Sequence, residues 1–78
     1  MRKAYILIDT RSPYTWQVVQ LLRRRRGVAW ADAVSGPHSI ICVLEEADAA
    51  AIASTDVPDI RNLRGVEHVV TCFAIKGE

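Results

Sequence analysis

The side chains of this 78-residue sequence with the most chemistry in them are two cysteines, two histidines, an acidic group and a run of four arginines. Cys42 and Cys72 could make a disulfide, a nucleophile or half of a metal site. Each falls in the middle of an apolar run that reads as a strand, and with one strand between them they stand roughly 10 Å apart, beyond disulfide reach. They are expected to be inert core thiols. His38 and His68 could act as bases or ligands, but neither has a Cys, His, Asp or Glu at metal-site spacing. No nucleophile–base pair or carboxylate pair is visible, so no catalytic residue, metal or cofactor is expected. His68 reads as an interface or solvent-facing strand residue.

Glu45, Glu46 and Asp48 resemble an acidic cluster, and a helix start favoured by the macrodipole accounts for them. Arg23–Arg26 could meet phosphates with a steep salt dependence, yet the last turn of a helix is where cations are favoured in any case. Trp16 and Trp30 are too isolated for a base-stacking platform and are expected in core or interface. The turn Ser35-Gly36-Pro37-His38-Ser39 is the best candidate for a binding site. It offers backbone N–H groups, two hydroxyls and an imidazole at the end of a hairpin, although as a plain turn it needs no ligand.

These residues must be positioned by a short list of elements. Ala4–Asp9 is β-branched and aromatic and reads as the first strand. Ser12-Pro13 reads as a helix start, with Ser12 as cap and Pro13 in the first turn. The helix runs to about Arg25 with Tyr14, Val18, Leu21 and Leu22 in its buried stripe, and Thr15 and Val19 alongside. Gly27 stops it in the left-handed conformation. Val28–Val34 alternates Ala29, Ala31 and Ala33 against Val28, Trp30, Asp32 and Val34, the pattern of a second strand. Ser39–Leu44 is the third, and the two form a hairpin. Asp48 caps a second helix that Pro58 must kink or restart, with Thr55 or Asp56 as a second cap. Val66–Ile75 is the fourth strand, followed by a charged tail, Lys76-Gly77-Glu78.

The order β-α-β-β-α-β, with Arg26-Gly27-Val28 recurring as Arg64-Gly65-Val66, predicts an α+β, ferredoxin-like antiparallel sheet with helices on one face. The other face should then be polar in a monomer. It is not. Ile6 and Ile8 oppose Tyr5 and Leu7 on strand 1, and Ile40 and Leu44 oppose Ile41 and Val43 on strand 3. On strand 4, Val66, Val70, Cys72 and Ala74 oppose Val69, Phe73 and Ile75. Leaving such side chains in water forfeits roughly 1.5–3 kcal/mol each. Pairing of two sheets across a twofold axis, a dimeric α/β barrel, is the expected remedy.

Length and composition agree. Residues 1–78 make one domain on the usual size prior, and half the chain is hydrophobic, too apolar for a disordered segment. Ten Lys+Arg against nine Asp+Glu leave a net charge of +1, which gives no field favouring nucleic acid or an anionic membrane. No run approaches the roughly 18 apolar residues of a spanning helix, and the first apolar stretch is too short for a signal peptide. A cytoplasmic protein that binds neither DNA nor membrane is expected.

Residues 4–8 (AYILI), 26–43 (RGVAWADAVSGPHSIICV) and 63–75 (LRGVEHVVTCFAI) together resemble the effector-binding domain of the Lrp/AsnC family. The strongest pieces are Gly27-Val28, the hairpin Val34–Ile40, and Gly65-Val66 with Thr71-Cys72. The chain is similar to stand-alone members, which lack the helix-turn-helix domain. The resemblance implies a dimeric α/β barrel assembled further into tetramers or octameric rings, binding amino acids or related effectors between dimers, and associating in some cases with a full-length regulator. On it, Ser35, Gly36, His38, Ser39 and Thr71 are the expected ligand-binding residues. The family hairpin reads Gly, any residue, aromatic, Asp; here His38 stands at the aromatic position and Ser39 at the Asp position. A serine carries no charge to pair with an effector's ammonium. The second helix, shortened and interrupted by Pro58, also departs from the pattern.

The resulting expectation is a non-enzymatic small-molecule-binding and oligomerisation module acting in transcriptional or metabolic regulation. Two other readings stay open. Other dimeric α/β barrels are monooxygenases or isomerases, with polar groups in a cleft where this sequence offers little beyond His68 and Tyr5. A purely structural assembly domain would bind only further copies of itself.

Overall fold

In the computed structural model, which describes residues 1–75, the chain runs β1 (Arg2–Thr10), α1 (Thr15–Arg24), β2 (Val28–Ala33), β3 (Ile40–Glu46), a helical segment 49–61 called α2, and β4 (Val66–Phe73). The predicted tail, 76–78, lies outside the described residues. The four strands form one antiparallel sheet in the order β2-β3-β1-β4. α1 packs over β2 and β3, and the second half of α2 packs over β4. This is the ferredoxin-like arrangement that the element order predicts.

The core follows from the alternation of β1 and β3. Ala4, Ile6 and Ile8 face the helices together with Ile40, Cys42 and Leu44, and all six are fully buried. Val18, Val19 and Leu22 of α1 and Ile52, Val57 and Ile60 of α2 close over them. Leu21, expected in the α1 stripe, is instead 41% exposed. The buried positions 18, 19 and 22 set the helix rotation, and Leu21 falls about 100° away from Leu22 around the axis.

The start of α1 departs from expectation. Tyr14, not Ser12, is the residue at the cap, no side chain caps it, and Pro13 precedes the helix in a turn. The entry is fixed by tertiary contacts: the Arg11 N–H donates to the Gly65 carbonyl at 2.8 Å, and the Thr10 and Thr15 hydroxyls are bonded at 2.7 Å. Tyr14 lies against Gly65, where an added Cβ would collide with the Cβ of Tyr14.

α2 is capped by Asp48, whose carboxylate accepts from the Ala51 N–H at 2.9 Å, as expected. Pro58 does not split it. The segment stays right-handed helical throughout, widening into π-helical turns over Ile52–Asp56 before Val57–Arg61. A proline removes one backbone donor and crowds the carbonyl four residues earlier, and the wider turn accommodates both. Neither Thr55 nor Asp56 restarts the helix as a cap.

Two strand starts shift the predicted faces. Gly27 and Gly65 both have φ +92°, so each turns the chain with the left-handed geometry that glycine tolerates. Each is followed by a bulge: Val28 pairs with Leu44 and Trp30 with Val43, skipping Ala29, while Val66 pairs with Thr10 and His68 with Asp9, skipping Glu67. Val28 and Val66 therefore pack against the core, with Ala33 and Val69 respectively, rather than on the faces their alternation assigns.

Candidate functional site

The hairpin between β2 and β3 is tied down at its neck. The Val34 N–H donates to the Ser39 carbonyl at 2.9 Å. Ser39 then reaches the neighbouring strand: its N–H donates to the Ile8 carbonyl at 2.9 Å, and its hydroxyl accepts from the Thr10 N–H at 3.1 Å. Because β1 lies beside β3 in the sheet, the hairpin closes against the end of β1. Ser35, Gly36 and Pro37 stay exposed beyond that neck, and His38 and Ser39 are half-buried. Gly36 has φ +140° with nothing within 4 Å of where a Cβ would stand, so conformation and not crowding calls for glycine there.

A residue that sequence reasoning did not place in the site joins it. Asp9, near the end of β1, accepts a hydrogen bond from His38 Nδ1 at 3.0 Å, and its second oxygen lies 4.0 Å from His68 Nδ1 on β4. Two imidazoles thus flank one carboxylate at the rim of the uncovered sheet face. The signal was in the topology: once β1 lies between β3 and β4, the last residues of β1 must meet both the hairpin and the start of β4. Asp9 thus places a carboxylate beside the hairpin. Among the described residues, no group of three or more His, Cys, Asp or Glu is arranged to hold a metal ion.

Of the five expected ligand residues, Ser35, Gly36, His38 and Ser39 are brought together by the hairpin. Thr71 stands opposite Ile6, on the helix side of β4 and two residue pairs along the sheet from the Ile8–Val69 pair. Within one subunit it does not join the hairpin.

The uncovered face is continuous and apolar at its centre. Leu7 lies between Ile41 and Val70 in the strand register, and Tyr5 lies between Val43 and Cys72, with Trp30 beyond Val43. Tyr5, Trp30 and Val70 are 38–46% exposed. Asp9, His68, Asp32, Lys3 and Glu45 lie around this centre.

The remaining candidates fall on this frame as follows. Cys42 is a buried core thiol, but Cys72 is exposed on the uncovered face, so the expectation of two core thiols holds for one. Burial pushes the Cys42 thiol up to about 12. The two side chains point to opposite faces, since Cys42 pairs with Ile6 and Cys72 with Tyr5. Trp16 is 62% exposed on α1, outside the core of the subunit. In the arginine run, Arg23 donates to the Ala31 carbonyl at 2.9 Å and to Asp32 at 3.1 Å, while Arg25 pairs with Asp56 and Asp59. Arg24 and Arg26 are exposed.

No family model and no curated protein matches the sequence. Solved structures do. TTHA0845 from Thermus thermophilus superposes with a TM-score of 0.92 at 23% identity, over 100% of this chain and 98% of that one. E. coli AsnC matches with a TM-score of 0.85 at 16% identity, over 97% of this chain and 52% of AsnC. The transcriptional regulator NMB0573 from Neisseria meningitidis, in a complex with L-Met, matches with a TM-score of 0.82 at 17% identity, over 96% of this chain and 50% of the regulator. The chain spans about half the length of the latter two proteins. Element order, sheet topology and these superpositions agree that the chain has the ferredoxin-like fold found in AsnC and the other Lrp/AsnC-type structures it matches.

Proposed function

We propose that this protein is a non-enzymatic binding and assembly module of a transcriptional or metabolic regulatory system. Copies pair through the uncovered sheet faces into a dimeric α/β barrel, and dimers assemble further into tetramers or an octameric ring. A small effector, an amino acid or related metabolite, binds at the hairpin end, with Ser35, Gly36, His38 and Ser39 from one subunit, Asp9 beside them, and Thr71 from elsewhere in the assembly. A full-length regulator of the same fold is a further partner. The chain acts in the cytoplasm and binds neither DNA nor membrane directly.

The observation that carries this reading is the uncovered face, where Tyr5, Leu7, Trp30, Ile41, Val70 and Cys72 form an apolar centre that none of the described elements covers. An apolar sheet face of this kind marks an association surface. The NMB0573 regulator, which shares the fold, is a complex with L-Met, and this supports an amino-acid effector here. The exposed turn tip and the Asp9 carboxylate supply the complementary groups: N–H donors for a carboxylate, a charged acceptor for an ammonium.

Isothermal titration with each proteinogenic amino acid tests the effector. Binding of at least one at millimolar concentration or tighter, lost in Asp9→Asn, is the expected result. No heat with any of them removes the amino-acid reading and leaves a purely structural assembly domain, which a specific contact favours: the Ser39 hydroxyl, one of three in the proposed site, already accepts from the Thr10 N–H at 3.1 Å.

A further inference from the structure

Positive charge gathers at the corner of the helix layer where α1 begins and α2 ends. Thr10 pairs with Val66 across β1 and β4, and the Arg11 N–H donates to the Gly65 carbonyl at 2.8 Å, so the turn into α1 and the turn out of α2 lie side by side. Tyr14 stands between them, its side chain directly against Gly65. The guanidinium carbon of Arg11 lies 5.5 Å from the centroid of the Tyr14 ring, and that of Arg64 lies 5.2 Å from it. One tyrosine therefore holds two arginines that belong to different turns, and their separation cannot exceed those two distances laid end to end.

Among the described residues, no carboxylate forms a salt bridge with Arg11, with Arg64 or with Arg61, the last residue of α2, and all three arginines are exposed. The acids are committed elsewhere: Asp32 to Arg23, Asp56 and Asp59 to Arg25, Asp9 to His38, and Asp48 to the start of α2. Glu67, exposed in the β4 bulge, pairs with none of the three. A chain whose charges nearly cancel in sum thus keeps an uncompensated basic corner.

A guanidinium stacked on an aromatic ring is attracted to its face and leaves the N–H groups of its edge free, in the fork that matches a carboxylate. Groups held in place before binding lose less freedom when a ligand arrives. Leu21 extends the surface. It follows Tyr14 by seven residues, hence stands on nearly the same side of α1 about two turns away, and is 41% exposed.

A small anion is held best in a concave site that encloses it. This surface is open, carried by the exposed ends of two turns, and two forks set apart with an apolar side chain further along fit a chain of residues instead. A phosphate backbone is the poorer fit, since affinity for it grows with the number of cations engaged, and Asp9 and Glu67 carry negative charge at the same end of the sheet. We propose that Arg11, Tyr14, Arg64 and Leu21 form a docking surface for an acidic segment of a partner protein, with its carboxylates on the two guanidinium groups and an apolar side chain against Leu21. The surface lies on the helix layer, away from the uncovered sheet face, and does not depend on the pairing of copies.

Fluorescence anisotropy tests this with a dye-labelled peptide in which pairs of glutamates alternate with leucines, titrated with the full chain at low salt. Two double variants are compared, Arg11→Gln with Arg64→Gln, and Arg24→Gln with Arg26→Gln. Each removes two exposed arginines and the same net charge. The first is expected to weaken binding at least about tenfold, the second by less than about twofold. Equal losses would show attraction to net charge alone and overturn the proposal, as would a wild type that does not bind the peptide. A DNA oligonucleotide of the same charge that displaces the peptide and depends more strongly than it does on Arg11 and Arg64 would also overturn it, in favour of a nucleic acid. Should the first variant fail to fold, the arginine Nε–H resonances of the wild-type protein decide. Shifts on adding peptide that single out Arg11 and Arg64 support the surface, and shifts that favour Arg24 and Arg26 or spread evenly over all four contradict it.

Discussion

Along β1 neighbouring residues of the same chemical kind meet opposite fates. Ala4, Ile6 and Ile8 are sealed under α1 and α2, whereas Tyr5 and Leu7, alternating with them, remain partly in water. The two thiols repeat the contrast, Cys42 buried on the helix side of β3 and Cys72 exposed on the other side of β4, although Val43, beside Tyr5 on the uncovered face, is only 1% exposed. The two faces are about equally apolar at their centres. What separates them is the number of helices, which is enough to cover one. An apolar face without a cover among the described residues favours association with another surface, and this is the physical basis for the assembly proposed above.

The two thiols give the largest measurable difference between the faces. At mildly alkaline pH Cys72 should react with a small maleimide while Cys42 stays inert in the folded protein. The rise of Cys42 from 9.0 to about 12 leaves it about a thousandfold fewer thiolates, before steric protection is counted. Mass spectrometry of the labelled protein reads the ratio. Cys72 labelling that slows as protein concentration rises would show the uncovered face becoming covered by another copy.

A smaller effect separates the same two faces by stability. Ile6→Ala should lose about 2–5 kcal/mol in denaturant unfolding, because a filled core site is emptied. Leu7→Ala, one residue along, should change the stability of the single subunit by less than about 1 kcal/mol, since its side chain is only partly out of water there. Under conditions where copies associate, the Leu7 cost should grow. Equal costs for the two at low protein concentration would erase the distinction between the faces.

Much of this arrangement is legible in the residues. The element order, the Asp48 cap and the surplus of apolar strand positions follow from local pattern, because each is set by neighbours within a few positions, and the antiparallel sheet follows from that order by the rules of strand connection. What is not legible is set by contacts between distant segments. The bulges at Ala29 and Glu67 move Val28 and Val66 to the core face, and strict alternation has no way to register an inserted residue. Ser12 and Pro13 carry a local helix-start signal, yet the start is fixed by the bond from Arg11 to Gly65 and the packing of Tyr14, which come from the other half of the chain. Pro58 reads as a break, and the wide turns before it absorb the strain.

The site shows the same division. The hairpin 35–39 is visible as a turn with polar groups. That Ser39 is spent on β1 and that Asp9 sits between two histidines depends on which strand lies next to which. Asp56 likewise reads as a cap from its position in sequence, while its partner Arg25 is 31 residues away.

Sedimentation velocity at micromolar concentration, on the wild type and on Leu7→Glu, tests the central claim most directly. A charge at the middle of an apolar contact should abolish it while leaving a half-exposed position on the subunit tolerable. The account predicts a dimer or larger for the wild type and a folded single subunit for Leu7→Glu. A wild type that sediments as one well-folded subunit would contradict it, as would a variant that assembles unchanged.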